Sequence, residues 1–305
     1  MPERVRITDV SPRDGLQNEP MREDGSPIPT ADKAELVRAL ERTGVDEIEI
    51  TSFVSPEWVP QLGDAAELCT MLAGTKPAGM TFSALVPNSK GLDHLLQANQ
   101  DAGERLIDKA SVFTAASETF SRKNTNADIA ETLTRFKPVI ARAHEEGLTT
   151  RGYISCVIAC PFEGIILPEA VADVARRLLE LGVDEIDLGD TIGAGVTETT
   201  AAMLAAVLDV VPADRLVLHL HDTFGRAAEC VRAALDMGLR SFDGSVAGLG
   251  GCPYASTDAN RAPGNLATES LVRIILDQGF TTGVDLESLA KAADIAAGIT
   301  GRIKP

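Results

Sequence analysis

No stretch of this 305-residue sequence approaches the continuous apolar length that a membrane span needs, although 44% of its residues are apolar. The first ten residues, MPERVRITDV, lack an apolar signal core and move almost directly into a strand-like run. The closing GRIKP carries no lipidation or sorting tail. A cytoplasmic protein with no membrane association is expected. Cysteine is also sparse: Cys69, Cys156, Cys160, Cys230 and Cys252 are odd in number, scattered, and form no C-x-x-C pair. That pattern excludes a disulfide scaffold or structural zinc module and fits a reducing compartment. Basic residues are in deficit, 28 Lys and Arg against 45 Asp and Glu, for a formal net charge of −17. Duplex nucleic acid and anionic membranes are therefore repelled on average. A small anionic ligand is not excluded, because a local cluster of Lys and Arg outweighs the global field at short range. No G-x-G-x-x-G follows the first strand-like run, which counts against a Rossmann domain.

What is present is alternation. Short apolar runs at Val5–Val10, Glu47–Phe53, Thr81–Val86, Leu106–Phe113, Thr150–Ile158, Glu185–Leu188, Leu216–His221 and Ser241–Ala247 read as strands, with amphipathic runs between them. In PEAVADVARRLLELG, Val171, Val174, Ala175 and Leu178 fall at i, i+3, i+4 and i+7, opened by Pro168 and closed by Gly182. TADKAELVRALERTG behaves similarly, with Thr30 as N-cap and Gly44 at its end. GVDEIEITS from Gly44 returns as GVDEIDLGD from Gly182. A helix ended by glycine that feeds a strand, repeated along the chain, is the βα unit of a parallel sheet. Eight such strands without a long linker predict a (β/α)8 TIM barrel spanning residues 1–305 as a single domain. Residues 281–305 form a helical extension of one or two helices.

In such a barrel the catalytic groups belong at the carboxyl ends of strands. SPRDGLQNEP after the first strand carries Arg13, Asp14 and Gln17 on a turn, which by itself is commonplace. In LVLHLHD, His219 and His221 stand at i and i+2, on one face of one strand. Two neutral imidazoles in a shared environment point to a metal. Glu49 and Asp190, on the second and sixth strands, are either salt-bridged filler of the barrel interior or, given a metal, orienting and substrate-contacting groups. Asn265 is by default an N-cap for the run beginning near Leu266, with Glu269 in the first turn; its amide oxygen can instead ligate a hard cation. Asp, His, His and Asn make a mixed O/N set suited to a divalent cation such as Mg²⁺ or Mn²⁺ and poorly suited to structural zinc.

Together, SPRDGLQNEP, ITSFVSPEWVPQLGD, TAASETFSRKN, RGYISCVIACPFEG, LGDTIGAG, HLHDTFGRA, SVAGLGGCPYA and GNLATE resemble the 3-hydroxy-3-methylglutaryl-CoA lyase family, in the family's order from residue 11 to residue 269. R-D-G-x-Q and H-x-H mark a wider group of metal-dependent barrel lyases and Claisen-type synthases; GLGGCPYA is what points to the lyase branch. The resemblance implies a (β/α)8 barrel that cleaves its acyl-CoA to acetyl-CoA and acetoacetate with a divalent cation, Mg²⁺ or Mn²⁺, with Co²⁺ or Zn²⁺ able to substitute in vitro. That reaction belongs to leucine degradation and ketone-body formation. It implies Asp14, His219, His221 and Asn265 as metal ligands, Arg13 facing the thioester oxygen, and Cys252 in proton transfer. Gln17, Glu49, Ser52, Asp190 and Glu269 are implied as further site residues, and a homodimer or higher homo-oligomer as the assembly. Asp9 stands where the family usually has Glu. Two segments depart from the pattern: STDANRAP, inserted between GGCPYA and GNLATE, and ERLIDKASVF around the fourth strand. Both bear on the acyl group accepted.

The chemistry explains the thiol. Cleaving a tertiary alcohol β to a thioester requires loss of the hydroxyl proton and stabilisation of an enolate on the leaving acetyl-CoA. A cysteine serves in proton transfer when positive surroundings lower its pKa from about 8.5, and Cys252 follows Gly248, Gly250 and Gly251, which permit a hinge. Cys156 and Cys160 fit no metal pattern, Cys69 and Cys230 fall in helical runs as core residues, and His94 and His144 read as surface residues of helices. Lys90 and the FSRKN segment (Arg122, Lys123, Asn124), on the loops after the third and fourth strands, either meet CoA phosphates or remain solvated. Three alternatives stand beside the lyase. These are a lyase for a bulkier 3-hydroxy-3-alkylglutaryl-CoA, a synthase joining acetyl-CoA to a 2-oxo acid, and a non-catalytic CoA- or metal-binding barrel.

Overall fold

The computed structural model describes residues 2–251 and 264–301. In chain order the elements are β1 (Arg6–Asp9), α1 (Thr30–Leu40), β2 (Glu47–Ser52), α2 (Ala65–Leu72), β3 (Thr81–Leu85), α3 (Ser89–Ala102), β4 (Lys109–Ala115), α4 (Glu118–Thr125), α5 (Ile129–Glu145) and β5 (Thr149–Ser155). There follow β6 (Ala159–Cys160), β7 (Gly164–Ile165), α6 (Pro168–Glu180), β8 (Glu185–Asp190), α7 (Thr197–Leu208), β9 (Leu216–Leu220), α8 (Ala227–Asp236), β10 (Ser241–Gly244), α9 (Thr268–Asp277) and α10 (Leu286–Thr300). Eight parallel strands close a barrel in the order β1-β10-β9-β8-β5-β4-β3-β2. The expected (β/α)8 barrel is the observed one. β6 and β7 pair antiparallel as a small ribbon in the loop after β5. Among the described residues no helix is long and apolar enough to cross a membrane.

The helix–glycine–strand repeat has a simple cause. Val171, Val174, Ala175 and Leu178 bury one stripe of α6, and Gly182 then turns the chain at φ 95° before β8. Gly44 does the same at φ 78° between α1 and β2. There a Cβ would come within 2.2 Å of the Gly283 carbonyl, so both the conformation and the space require glycine.

Several boundaries differ from the sequence reading. Thr30 is the first residue of α1 and not its cap; Pro29 takes the cap position, and the Thr30 hydroxyl donates to Asp64 at 2.8 Å. β4 starts at Lys109 because Ile107 is bound through its N–H and C=O to the side chain of Asn99 on α3. β5 ends at Ser155 because Cys156 adopts φ 61° and leaves the ladder. α9 begins at Thr268 with Ala267 at its cap, so Asn265 is free of a capping role. Lys90 lies on α3, and Arg122, Lys123 and Asn124 on α4, not on loops. Asn88 and Ser117 cap those two helices early through side-chain hydrogen bonds. Within 281–301 there is one helix, α10, tied beside α1 by Asp285 N–H to the Thr43 carbonyl at 2.7 Å.

Strand periodicity sorts the residues. Ile7, Ile48, Ile50, Phe82, Val112, Ile154, Ile186, Leu188, Leu218 and Phe242 are buried under the helices. Each such side chain contributes about 1.5–3 kcal/mol. The alternate positions fill the interior, and many of them are polar: Glu47, Glu49, Lys109, Arg151, Asp187, His219 and Asp243 are all buried. Branched apolar residues more commonly occupy such interiors.

Asp9 falls on the outward face. Its carboxylate accepts from Ser11 N at 2.9 Å, Val246 N at 3.2 Å and the Thr268 hydroxyl at 2.7 Å, joining β1 to the turn after β10 and to α9. Burial raises its pKa to about 6 despite the lowering effect of the Ser11 and Thr268 hydrogen bonds. The native state therefore binds the proton more tightly than the unfolded chain. The stability contribution of Asp9 is present at low pH and falls as pH rises from about 4 to about 6. At about 1.4 kcal/mol per unit, the loss approaches about 3 kcal/mol. Asp9→Asn, which cannot titrate, should show a correspondingly shallower fall between about pH 4 and pH 7 in urea denaturation. Equal pH slopes in the two proteins would contradict this.

Candidate active site

The loop after β1 opens as a π-helical turn, Ser11–Gly15, in which the Val10 carbonyl accepts from Arg13 N at 3.2 Å, Asp14 N at 2.8 Å and Gly15 N at 3.1 Å. This winding presents Arg13 and Asp14 side by side at the carboxyl end of β1. Gly15 is required by space, since a Cβ there would lie 2.9 Å from Ser245 Oγ and 3.0 Å from Leu249 Cβ. The guanidinium of Arg13 is buried. It donates through Nε to Glu49 Oε2 and through Nη1 to Asp14 Oδ1 at 2.6 Å, and it lies 5.1 Å over the Tyr153 ring. Burial opposes its charge, but Glu49 and Asp14 outweigh that and hold it firmly protonated.

Asp14 is the junction. Its Oδ1 also accepts from Gln17 Nε2 at 2.7 Å and its Oδ2 from Asn265 Nδ2 at 2.8 Å. Burial pushes its pKa up; Arg13, His219 and His221 more than reverse this and bring it to about 2. His219 is the penultimate residue of β9 and His221 lies just past its end, on the same face, with ring centroids 5.1 Å apart. Asn265 reaches them because the segment after residue 263 returns to β9: His221 and Asn265 form an antiparallel bridge, and Leu266 N donates to the Leu220 carbonyl at 2.8 Å. Gly250 packs directly on this corner. A Cβ there would be 2.7 Å from Asn265 Nδ2 and 3.4 Å from Asp14 Oδ2.

Asp14, His219 and His221 each offer a ligand atom, and these atoms lie within 4.8 Å of one another. Among the described residues, Asn265 Oδ1 and His221 Nδ1 are buried without a hydrogen-bond partner. Orphaned acceptors beside a carboxylate are what a cation would satisfy, and the carboxylate–imidazole–amide set fits a divalent ion. Burial sets the imidazoles apart. His221 is lowered to about 4 by desolvation and by its neighbour, whereas for His219 Asp243 outweighs desolvation and raises it to about 9.

Beneath this corner a chain of polar contacts runs down the barrel. Tyr153 donates its hydroxyl to Glu49 Oε2 at 3.0 Å and accepts from Arg151 Nη1 at 3.3 Å. Arg151 also donates to Glu47 at 3.1 Å and Glu185 at 2.8 Å, and Lys109 bridges the same two carboxylates. Burial disfavours the Glu185 charge, but Arg151 and Lys109 hold its carboxyl well below the usual range. Beside it, burial and the nearby Asp243 raise Asp187 well above the carboxylate range.

The sequence-derived residues distribute as follows. Arg13, Asp14, Gln17, Glu49, His219, His221 and Asn265 converge through the contacts above. Ser52, buried at the end of β2, accepts from Val54 N at 3.2 Å. Asp190 turns to the outward face, where Ala194 N and Gly195 N donate to its carboxylate at 3.1 and 2.7 Å and burial raises its pKa. Glu269, in the first turn of α9, receives Ala247 N at 3.2 Å on each oxygen, at a residue held in the left-handed region at φ 55°. Lys123 and Asn124 are exposed on α4, with Lys123 Nζ 4.7 Å over the Phe162 ring. Cys252 lies outside the described residues, as does the inserted stretch Ser256–Pro263. Tyr153, Arg151, Asp187 and Asp243 were not singled out from the sequence. Their signal was the two-residue strand period, which places polar side chains on the inward face of TTRGYIS, EIDLGD and SFDG.

The family model described as HMGL-like matches residues 4–296. The hydroxymethylglutaryl-CoA lyase of Pseudomonas mevalonii is 47% identical over 287 residues, covering 94% of this chain and 89% of its own. A 3-hydroxy-3-isohexenylglutaryl-CoA/hydroxy-methylglutaryl-CoA lyase of Pseudomonas aeruginosa is 43% identical over 303 residues, covering 99% and 95%. The crystal structure of the HMG-CoA lyase from Brucella melitensis superimposes with a TM-score of 0.89 at 45% identity, covering 98% of this chain and 99% of that one.

The polar chain under the corner is a stability element. Arg151→Met would leave Glu47, Glu185 and Asp187 in the interior without their guanidinium, and unfolding free energy should drop by about 3–5 kcal/mol in urea titrations at neutral pH. A change below about 1 kcal/mol would show that the network does not need this charge.

Proposed function

The chain belongs to the HMGL-like family, and from that premise we propose that it is a divalent-metal-dependent lyase. It cleaves (S)-3-hydroxy-3-methylglutaryl-CoA to acetyl-CoA and acetoacetate. The observation that carries the reading is the convergence of Asp14, His219 and His221 on one point, with Arg13 hydrogen-bonded to Asp14.

Asp14, His219, His221 and Asn265 would hold the ion, Mg²⁺ or Mn²⁺ by the character of the donors. Bound there, it supplies Lewis acidity at the substrate hydroxyl and a template for the adjacent carboxylate. In the reaction the hydroxyl at C3 loses its proton and becomes the ketone of acetoacetate. The C2–C3 bond breaks, its electron pair passes into the enolate of acetyl-CoA, and C2 then takes up a proton. Arg13 is suited to the enolate oxygen, because its charge is permanent and its guanidinium is already fixed by Glu49 and Tyr153 before substrate arrives. Glu49 acts through Arg13 and is a positioning residue. Cys252 is assigned the proton transfer at C2 on the chemistry of a thiol beside positive charge. The described chain approaches the corner at Gly250, two residues before it. Gln17 and Ser52 are assigned to the substrate, and Lys123 and Asn124 to the CoA arm.

A second reading has one specific support. The Pseudomonas aeruginosa relative is named for both a methyl and an isohexenyl substrate, so a longer 3-alkyl group is proposed as an alternative substrate of this chain. The ratio of kcat/KM for the methyl and isohexenyl thioesters decides between the two.

With the methyl substrate and Mn²⁺, purified protein should form acetoacetate, and His221→Ala should abolish both turnover and Mn²⁺ binding. Arg13→Met should lower kcat by about 10²- to 10³-fold. Cys252→Ala should lower it by about 10²- to 10⁴-fold, whereas a synthase would be little affected. Absence of acetoacetate from metal-loaded wild-type protein would refute the proposal.

A further inference from the structure

We infer that Asp243, braced by Asp187, is a positioning residue of the cation site, holding the His219 imidazole by Nδ1 so that Nε2 is the ligating atom. The inference rests on the reading of Asp14, His219, His221 and Asn265 as cation ligands. β9, which carries His219, lies between β10 and β8 in the barrel. Asp243 comes from β10 and Asp187 from β8, both on the inward face and both buried. The two strands that flank the histidine thus each send a carboxylate to it. Asp243 Oδ1 is 2.8 Å from His219 Nδ1, and the ligand atoms of Asp187, His219 and Asp243 lie within 4.8 Å of one another.

An imidazole on a strand end has two ring orientations and two neutral tautomers, and only some combinations present a lone pair to an ion. A carboxylate on Nδ1 keeps a proton on that nitrogen and fixes the ring so that Nε2 is the nitrogen turned toward a cation. Asp187 flanks Asp243 on the inward face and limits where its carboxyl can turn. Asp243 Oδ2 and both oxygens of Asp187 are buried with no hydrogen-bond partner among the described residues, and each carboxyl is the other's polar neighbour. Arg151 Nη1, 3.9 Å from Asp187 Oδ2, anchors the pair from below.

The same three residues meet the distance test for a cation group in their own right, so the rival is a second ion below the first. Titration of the full-length apo protein with Mn²⁺, read by calorimetry for affinity and stoichiometry, separates the cases. Wild type should bind one Mn²⁺ per chain. Asp243→Asn, which offers His219 either an oxygen or an NH₂ group, should weaken that binding by about 10- to 100-fold while leaving the stoichiometry at one. Asp187→Asn puts an amide donor beside the Asp243 carboxylate and should bind within about threefold of wild type; Asp187→Leu should bind at least about fivefold more weakly. Wild-type affinity in Asp243→Asn, or two ions in wild type with one lost in that variant, would overturn the inference. If Asp243→Asn does not fold, the Asp187 pair carries the test, and equal binding by its Asn and Leu forms overturns it. Wild-type protein that binds no Mn²⁺ sinks the ligand reading itself and this inference with it. Intact wild-type binding with an unaffected Asp243→Asn sinks the positioning role alone.

Discussion

Five carboxylates inside a closed parallel barrel set the terms on which the rest of this structure is built. Glu47, Glu49, Glu185, Asp187 and Asp243 all point inward and are buried. An uncompensated buried charge costs several kcal/mol even after relaxation. Three buried cations answer them: Lys109 and Arg151 at the floor, Arg13 at the mouth. The remaining pair, Asp187 and Asp243, sits directly under the histidines, where His219 meets Asp243 and burial raises Asp187.

The compensation is continuous from floor to mouth. Arg151 donates to Tyr153, Tyr153 to Glu49, and Glu49 receives Arg13, which in turn donates to Asp14. Such a network is stable when its members are satisfied together, and it then fixes one geometry. The Arg13 guanidinium is thereby oriented by the protein before any ligand enters, which is the condition for electrostatic catalysis without reorganisation. The cations that neutralise the interior also fix the corner above it, so under the proposed function stability and chemistry draw on the same side chains.

How much of this could be read from residues alone depends on the range of the interaction. The glycine-ended helices, the eight strands and the H-x-H pair are local patterns, and each survives in the structure with boundaries moved by a few residues. Those boundaries moved where a distant side chain intervened: Asn99 holding Ile107 out of β4, Asp64 taking the Thr30 hydroxyl. Glu49 is legible as either filler or site residue; the structure buries it in the interior, where Tyr153 and Arg13 share one of its oxygens. Asp190 looked equivalent to Glu49 in sequence. It is one pleat out of phase with Asp187 and faces the helices instead.

Residues within short windows suffice for the βα repeat, the barrel class and a candidate set of cation-binding side chains, because these follow from periodicity and residue chemistry. Which carboxylate meets which partner follows from the folded chain alone. Asp14 and Asn265 are 251 positions apart, and Asp243 meets His219 across neighbouring strands. Such pairings depend on strand register and barrel closure, and both are set by the packing of the whole chain rather than by any segment of it.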